Sequence, residues 1–170
     1  LVGYTNAGKS TLFNQLTRAS VRAEDLLFAT LDPTLRGIKL PHGGRAILSD
    51  TVGFISELPT LLVAAFRATL EEVIEADVIA HVRDISHGEA AAQAEDVTKV
   101  LADLGIDPAD SHRVIEVWNK IDRLDAESRL RIENIAARKP ADARPILVSA
   151  LTGEGTDTFL AAIEARISVG

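Results

Sequence analysis

The run Gly3-Tyr4-Thr5-Asn6-Ala7-Gly8-Lys9-Ser10 constrains this chain more than any other stretch: it matches G-x-x-x-x-G-K-S/T and lies between Leu1-Val2 and the helix-forming Thr11-Leu12-Phe13-Asn14-Gln15-Leu16. A strand, a glycine-containing loop and a helix in that order build an anion cradle. The glycines let backbone N–H groups wrap phosphates, and the helix N-terminus adds the positive end of its dipole. Lys9 is placed to bridge β and γ phosphates, and Ser10 offers a hydroxyl to Mg2+. Tyr4, Thr5, Asn6 and Ala7 in the loop, with Thr11 just inside the helix, complete the expected phosphate-binding set.

The rest of the chain is read in the same frame. Apolar runs of strand length alternate with helix-period segments, which is the pattern of a three-layer α/β/α fold. Strands are expected at about 1 to 2, 35 to 40, 45 to 50, 78 to 84, 113 to 119 and 145 to 149, and helices at about 9 to 17, 60 to 76, 88 to 104, 125 to 138 and 156 to 168. Pro41-His42-Gly43-Gly44 is too short for a crossover helix, so the second and third strands form a hairpin and one of them runs antiparallel. The expectation is a six-stranded, mostly parallel sheet. In the last helix Phe159, Leu160, Ile163 and Ile167 form the packing stripe, while Glu164 and Arg166 face water. The weakly patterned stretch from about 18 to 34 is long for a loop in a compact domain, and such loops are usually functional or disordered.

Composition narrows the partners. The 170 residues, 46% hydrophobic and 25% charged, suit one globular domain. Without cysteine there is no disulfide, cysteine-based zinc site or thiol nucleophile, which is compatible with a cytoplasmic location. The net charge of -7 argues against a general polyanion-binding surface. No apolar run approaches the ~20 residues that span a bilayer. Only Leu1 and Val2 precede the glycine-rich loop, so the chain is expected to be one domain, residues 1–170, taken from a longer protein and short of the start of its first strand.

Two further motifs follow in order. Ala46-Ile47-Leu48-Ser49 leads into Asp50-Thr51-Val52-Gly53, where Asp50 is placed to hold Mg2+ and the Gly53 N–H to approach a γ-phosphate. Asn119-Lys120-Ile121-Asp122 follows the apolar run Val114 to Trp118, at the C-terminal end of a strand, where open α/β sheets bind ligands. The Asp122 carboxylate can accept from N1–H and the 2-amino group of guanine, donors that adenine lacks there. A buried carboxylate left unpaired by adenine would be a large penalty. Asn119 can tie this loop to the glycine-rich loop, and the Lys120 stem can cover the ring face. Ser149-Ala150-Leu151 ends the next strand, with its backbone in reach of the guanine O6. The four histidines, His42, His81, His87 and His112, show no metal-ligand spacing.

With these motifs in place the sequence resembles the HflX family of translation-associated GTPases, in the Obg and HflX branch of the Ras-like P-loop superfamily. The resemblance is carried by Leu1 to Asn14, Leu27 to Thr34, Leu48 to Leu58 and Ala65 to Glu72, and beyond about residue 85 by Asn119 to Asp122 and Ser149-Ala150. It implies a GTP-binding and GTP-hydrolysing switch with Mg2+, an upstream N-terminal domain, and action at the large ribosomal subunit on stalled or idle ribosomes. The residues alone leave Thr30 and Thr34 both open as a hydroxyl ligand to Mg2+; the family pattern favours Thr30, and with it Phe28, Ala29, Leu31 and Asp32 near the nucleotide. Lys9, Thr30 and Gly53 are then the catalytic set, and Ser10, Thr30 and Asp50 the metal ligands. Asn6 resembles the asparagine of potassium-activated GTPases, which implies a K+ ion beside the phosphates.

Phe54 stands where Ras-like enzymes carry a water-orienting glutamine, and a phenyl ring cannot hydrogen-bond the attacking water. Slow intrinsic turnover is expected, and the alternative is a nucleotide-gated binding module with negligible hydrolysis. The acidic balance assigns most RNA contact to other parts of the protein. Ser10→Ala and Thr30→Ala are expected to weaken Mg2+-dependent GTP binding or turnover with the fold intact. A larger loss of Mg2+ dependence in Thr34→Ala would reassign the switch threonine.

Overall fold

The computed structural model describes residues 1–3, 7–18, 35–49, 74–103 and 105–169. Its elements are β1 (Val2–Gly3), α1 (Lys9–Arg18), β2 (Leu35–Lys39), β3 (Arg45–Ser49), β4 (Ile79–Asp84), α2 (Ala90–Asp103), β5 (Val114–Asn119), α3 (Ala126–Arg138), β6 (Ile146–Leu147) and α4 (Thr156–Val169). Single 3-10 turns at Ile121–Arg123 and Ala141–Ala143 were not anticipated by periodicity. Of the helix expected at 60 to 76, Ile74 and Glu75 are helical, Ala76 is not, and 60 to 73 lie outside the described residues.

The six expected strands are present and the hairpin is antiparallel, with Leu35 paired to Ser49 and Lys39 to Arg45. Their hydrogen bonding divides them: β1-β4-β5-β6 form a four-stranded parallel sheet, and β2-β3 a sheet of two. The two sheets meet at Leu1, whose nitrogen donates to the Ser49 carbonyl at 2.6 Å. Because the four strands are parallel, Gly3, Asp84, Asn119 and Leu147 all end at the same edge.

Both faces of the parallel sheet are covered, and strand alternation decides what each face carries. On one side Ala80, Val82, Ile115 and Val117 pack with Leu12, Phe13 and Leu16 of α1, with Ile38 and Leu48 of the hairpin, and with Phe159 and Ile163 of α4. On the other, Val2, Ile79 and Val114 pack with Val97 and Leu101 of α2. The same face continues into a polar cluster. His81 lies opposite Glu116, and Arg83 opposite Trp118. Arg83 Nη1 donates to Glu116 Oε1 at 2.5 Å, Trp118 Nε1 donates to the same oxygen at 3.1 Å, and the guanidinium lies 5.4 Å from the Trp118 ring.

Glu164 departs from expectation. It is buried, and its carboxylate accepts from the backbone N–H of His42 at 2.9 Å and of Gly44 at 3.1 Å, closing the turn of the β2-β3 hairpin. Helical periodicity placed it in water because the period counts neighbours on the helix, not backbone donors brought from a hairpin 120 residues away. Arg166 is also partly buried, donating through Nε to the Ser111 carbonyl at 2.8 Å.

Burial lowers the pKa of His81 from the ordinary 6.5 to about 4, with Glu116 pulling it up and Arg83 pushing it down. The folded chain therefore refuses a proton that the unfolded chain accepts between those values. This contribution to stability is complete above pH 6.5 and is lost as pH falls toward 4, by roughly 3 kcal/mol. Chemical denaturation across that window is expected to show the slope, and His81→Leu to flatten it.

Candidate functional site

The parallel strand ends bring parts of two sequence motifs around a cavity of about 400 Å³, bordered by Gly8, Lys9 and Ser10 on one side and by Asn119, Lys120 and Asp122 on the other. Thr11, Ala150 and Leu151 also line it. A larger hollow, about 650 Å³, lies under the hairpin against Phe159 and Ile163 and carries none of these motifs. The chemistry gathers at the smaller one.

The phosphate-loop glycines are fixed by what touches them. Gly3 ends β1 so close to β4 that a Cβ there would stand 2.5 Å from the Val82 carbonyl oxygen, with Lys9 Cδ at 3.3 Å. Gly8 has φ +96°, and a side chain there would run into Asn119 Nδ2. An L-residue at position 8 would therefore meet backbone strain and a clash together. Lys9 begins α1 and is buried, with its stem passing over Gly3. Ser10 and Thr11 are exposed at the cavity in the first turn of α1, and the Gly8 carbonyl accepts from Leu12 N–H at 2.9 Å to start the helix ladder. Buried Ala7 supplies a carbonyl to the site's principal cross-link.

That cross-link is Asn119. Its Nδ2 donates to the Ala7 carbonyl at 3.0 Å and its Oδ1 accepts from Ala150 N–H at 3.0 Å, so one buried amide joins the glycine-rich loop to the loop after β6. Lys120 follows at φ 68°, ψ 32°, and this left-handed residue turns the chain into the 3-10 turn that carries Asp122. Ser149, wholly buried, donates from Oγ to Asp122 Oδ1 at 2.8 Å and accepts Thr152 N–H on the same oxygen at 3.1 Å.

One detail differs from the sequence reading and two add to it. Asp122 is exposed, not buried, because Ile121 takes the inward position of the turn. Any discrimination through its carboxylate then depends on the base itself removing water on binding. In the run Ser149-Ala150-Leu151 the Ser149 backbone N–H donates to the Glu154 carbonyl at 2.9 Å, and the Ser149 hydroxyl holds Asp122. Lys120 extends its ammonium to Asp84 Oδ2 at 3.2 Å. Burial raises the Asp84 pKa, but hydrogen bonds from Ser86 and Lys120 and the lysine charge outweigh it and hold the carboxyl below its usual range.

Asp84 is the site residue that motif reading missed. Its signal was an acid closing the strand Ile79 to Asp84 at the same sheet edge as Asn119. Tyr4, Thr5 and Asn6, the segment Phe28, Ala29, Thr30, Leu31 and Asp32, the run Asp50, Thr51, Val52 and Gly53, and Phe54 lie outside the described residues. Of the expected Mg2+ ligands Ser10 alone is described, and among the described residues no group of three His, Asp, Glu or Cys side chains is placed to hold a metal. The residues around the cavity fit a nucleotide: a buried lysine and a helix start at one end, a braced carboxylate at the other.

Comparison with known proteins follows the same lines. The chain is 55% identical over 170 residues to GTPase HflX of Magnetococcus marinus, covering 100% of this chain and 37% of that protein. It thus spans well under half the length of that relative. Among solved structures, a GTP-binding protein of Sulfolobus solfataricus in complex with GDP aligns with a TM-score of 0.71 at 26% identity, over 98% of this chain and 51% of that one. Era in complex with MgGDPNP and nucleotides 1506-1542 of 16S ribosomal RNA aligns with a TM-score of 0.69 at 28% identity, over 97% of this chain and 54% of that one. Among the described residues no helix is long and apolar enough to cross a membrane. Residues 1–120 match the family described as 50S ribosome-binding GTPase, and with that match and the HflX likeness along its whole length the chain belongs to this GTPase family.

Proposed function

We propose that residues 1–170 are the GTP-binding domain of a longer cytoplasmic protein, a molecular switch that binds and hydrolyses GTP and acts with the large ribosomal subunit on stalled or idle ribosomes. The observation that carries the reading is the Asn119 cross-link, which sets Asp122 and the glycine-rich loop on opposite sides of one cavity. In this reading Asp122 selects guanine and Lys9 holds the β and γ phosphates, while Ser10, Thr30 and Asp50 hold Mg2+ and the Gly53 N–H meets the γ-phosphate. Mg2+ bound there would neutralise charge that develops on the phosphates. A K+ ion at Asn6 belongs to the same proposal.

The family description and the HflX relative support the ribosomal part. Era, of the same fold, is seen with ribosomal RNA, so a net charge of -7 does not by itself assign RNA contact to other parts of the protein. Phe54 cannot orient water, so hydrolysis depends on a group or a rearrangement that a partner supplies.

Single-turnover hydrolysis by full-length protein, wild type and Asp122→Asn, with GTP, ATP and xanthosine triphosphate and with or without large ribosomal subunits, tests the whole reading. GTP should be preferred over ATP by ~10^4 or more, and Asp122→Asn should move the preference to xanthine. The unassisted rate should not exceed ~10^-4 to 10^-3 per second, and subunits should raise it by ~10^3 to 10^5-fold. ATP competing within about tenfold of GTP would overturn the base assignment. Indifference to subunits would overturn the partner.

A further inference from the structure

We infer that Asp84 is a positioning residue for nucleotide binding: its carboxylate anchors the Lys120 ammonium, laying the lysine stem against the glycine-rich loop and fixing one wall of the base site before a nucleotide arrives. The inference rests on the nucleotide reading given above. Asp84 closes β4 directly opposite Asn119, and Ile85 N–H donates to the Asn119 carbonyl at 3.1 Å, so the acid and the base-reading loop are locked in register. Lys120 Nζ lies 3.2 Å from Asp84 Oδ2, with the lysine side chain 22% and the aspartate side chain 8% exposed. The Lys120 Cε lies 3.5 Å from where a Cβ on Gly8 would stand, so the stem crosses from its own loop to the phosphate loop on its way to the anchor.

Two features make this more than a structural ion pair. Lys120 is the sole non-glycine residue at positive φ among the described residues, a conformation that persists only where its surroundings hold it. An unanchored lysine samples many rotamers, and a base stacking on its stem would have to stop that motion; the anchor removes the cost beforehand. The two oxygens of Asp84 also do separate work. Oδ1 accepts from Ser86 N–H at 3.0 Å and Ser86 Oγ at 2.5 Å, closing the turn after β4, while Oδ2 takes the lysine. A neutral side chain of the same shape can keep the turn and lose the anchor.

Because the base is common to GDP and GTP, losing the anchor should weaken both alike, chiefly through faster release. In full-length protein, stopped-flow binding of fluorescent GDP and GTP is expected to show Asp84→Asn raising both dissociation constants by about tenfold through the off-rate. The single-turnover rate at saturation should change far less. Lys120→Met keeps the stem and removes the charge, so it should give the same increase, and the double variant should be no worse than either single one. Ser86→Ala, which perturbs the turn alone, should leave affinity unchanged. Equal losses in Asp84→Asn and Ser86→Ala, or a double variant whose losses multiply, would overturn the anchor. So would unchanged affinity in Lys120→Met, which also serves if Asp84→Asn does not fold. If Asp122→Asn leaves guanine preference intact, it is the base-site reading that fails; an effect of Asp122→Asn with none from Asp84→Asn removes only the anchor.

Discussion

The site depends on one carboxamide. Asn119 ends a central strand, is 1% exposed, and is hydrogen-bonded on both sides by backbone groups from loops that are far apart in the chain. A carboxamide offers a donor and an acceptor on one planar group, whereas a carboxylate would lose the donor and a hydroxyl would lack the span. In a buried setting such a satisfied pair is rigid, since breaking either bond leaves a backbone group without a partner. Gly8 is part of the same constraint: the amide comes so close that no side chain fits beside it.

The sheet is built differently on its two faces. The side toward α1, α4 and the hairpin is apolar from Ala80 to Phe159. The other side begins apolar under α2 and turns polar toward the strand ends, where His81, Arg83, Glu116 and Trp118 form a partly buried group immediately behind Asp84 and Asn119. Burial raises the Glu116 pKa, but the hydrogen bonds and charge of Arg83 and the indole N–H bring it below the ordinary value, so it is held as a carboxylate. The strand ends that lead to Asp84 and Asn119 thus carry a charged cross-strand brace on this face.

Much of this was legible in the sequence because local chemistry encodes it. Strand and helix periods located the described elements to within a few residues, and the loop Pro41 to Gly44 dictated the hairpin. Of the residues in the two motifs, Gly8, Lys9 and Ser10 and Asn119, Lys120 and Asp122 border one cavity. What escaped were contacts whose partners are set by tertiary structure: the Glu164 carboxylate on the hairpin turn, the Ser149 hydroxyl on Asp122, and Asp84 under Lys120. Each is a polar side chain that pattern reading scores by its own segment, while its role is decided by a donor from another. The exposure of Asp122 was missed for a related reason, since a one-turn helix has too few residues to reveal which face is inward.

The seat that Glu164 provides has a mechanical side. Strand β3 is held at one end by the Gly44 N–H on the Glu164 carboxylate, and at the other by the Ser49 carbonyl on Leu1 N. It is a strut fixed at both ends, one support on the C-terminal helix and the other on the strand that feeds the glycine-rich loop. The last residue of the hairpin and the residue that precedes β1 are thus tied by one hydrogen bond, and the turn of the hairpin is tied to the C-terminal helix by another.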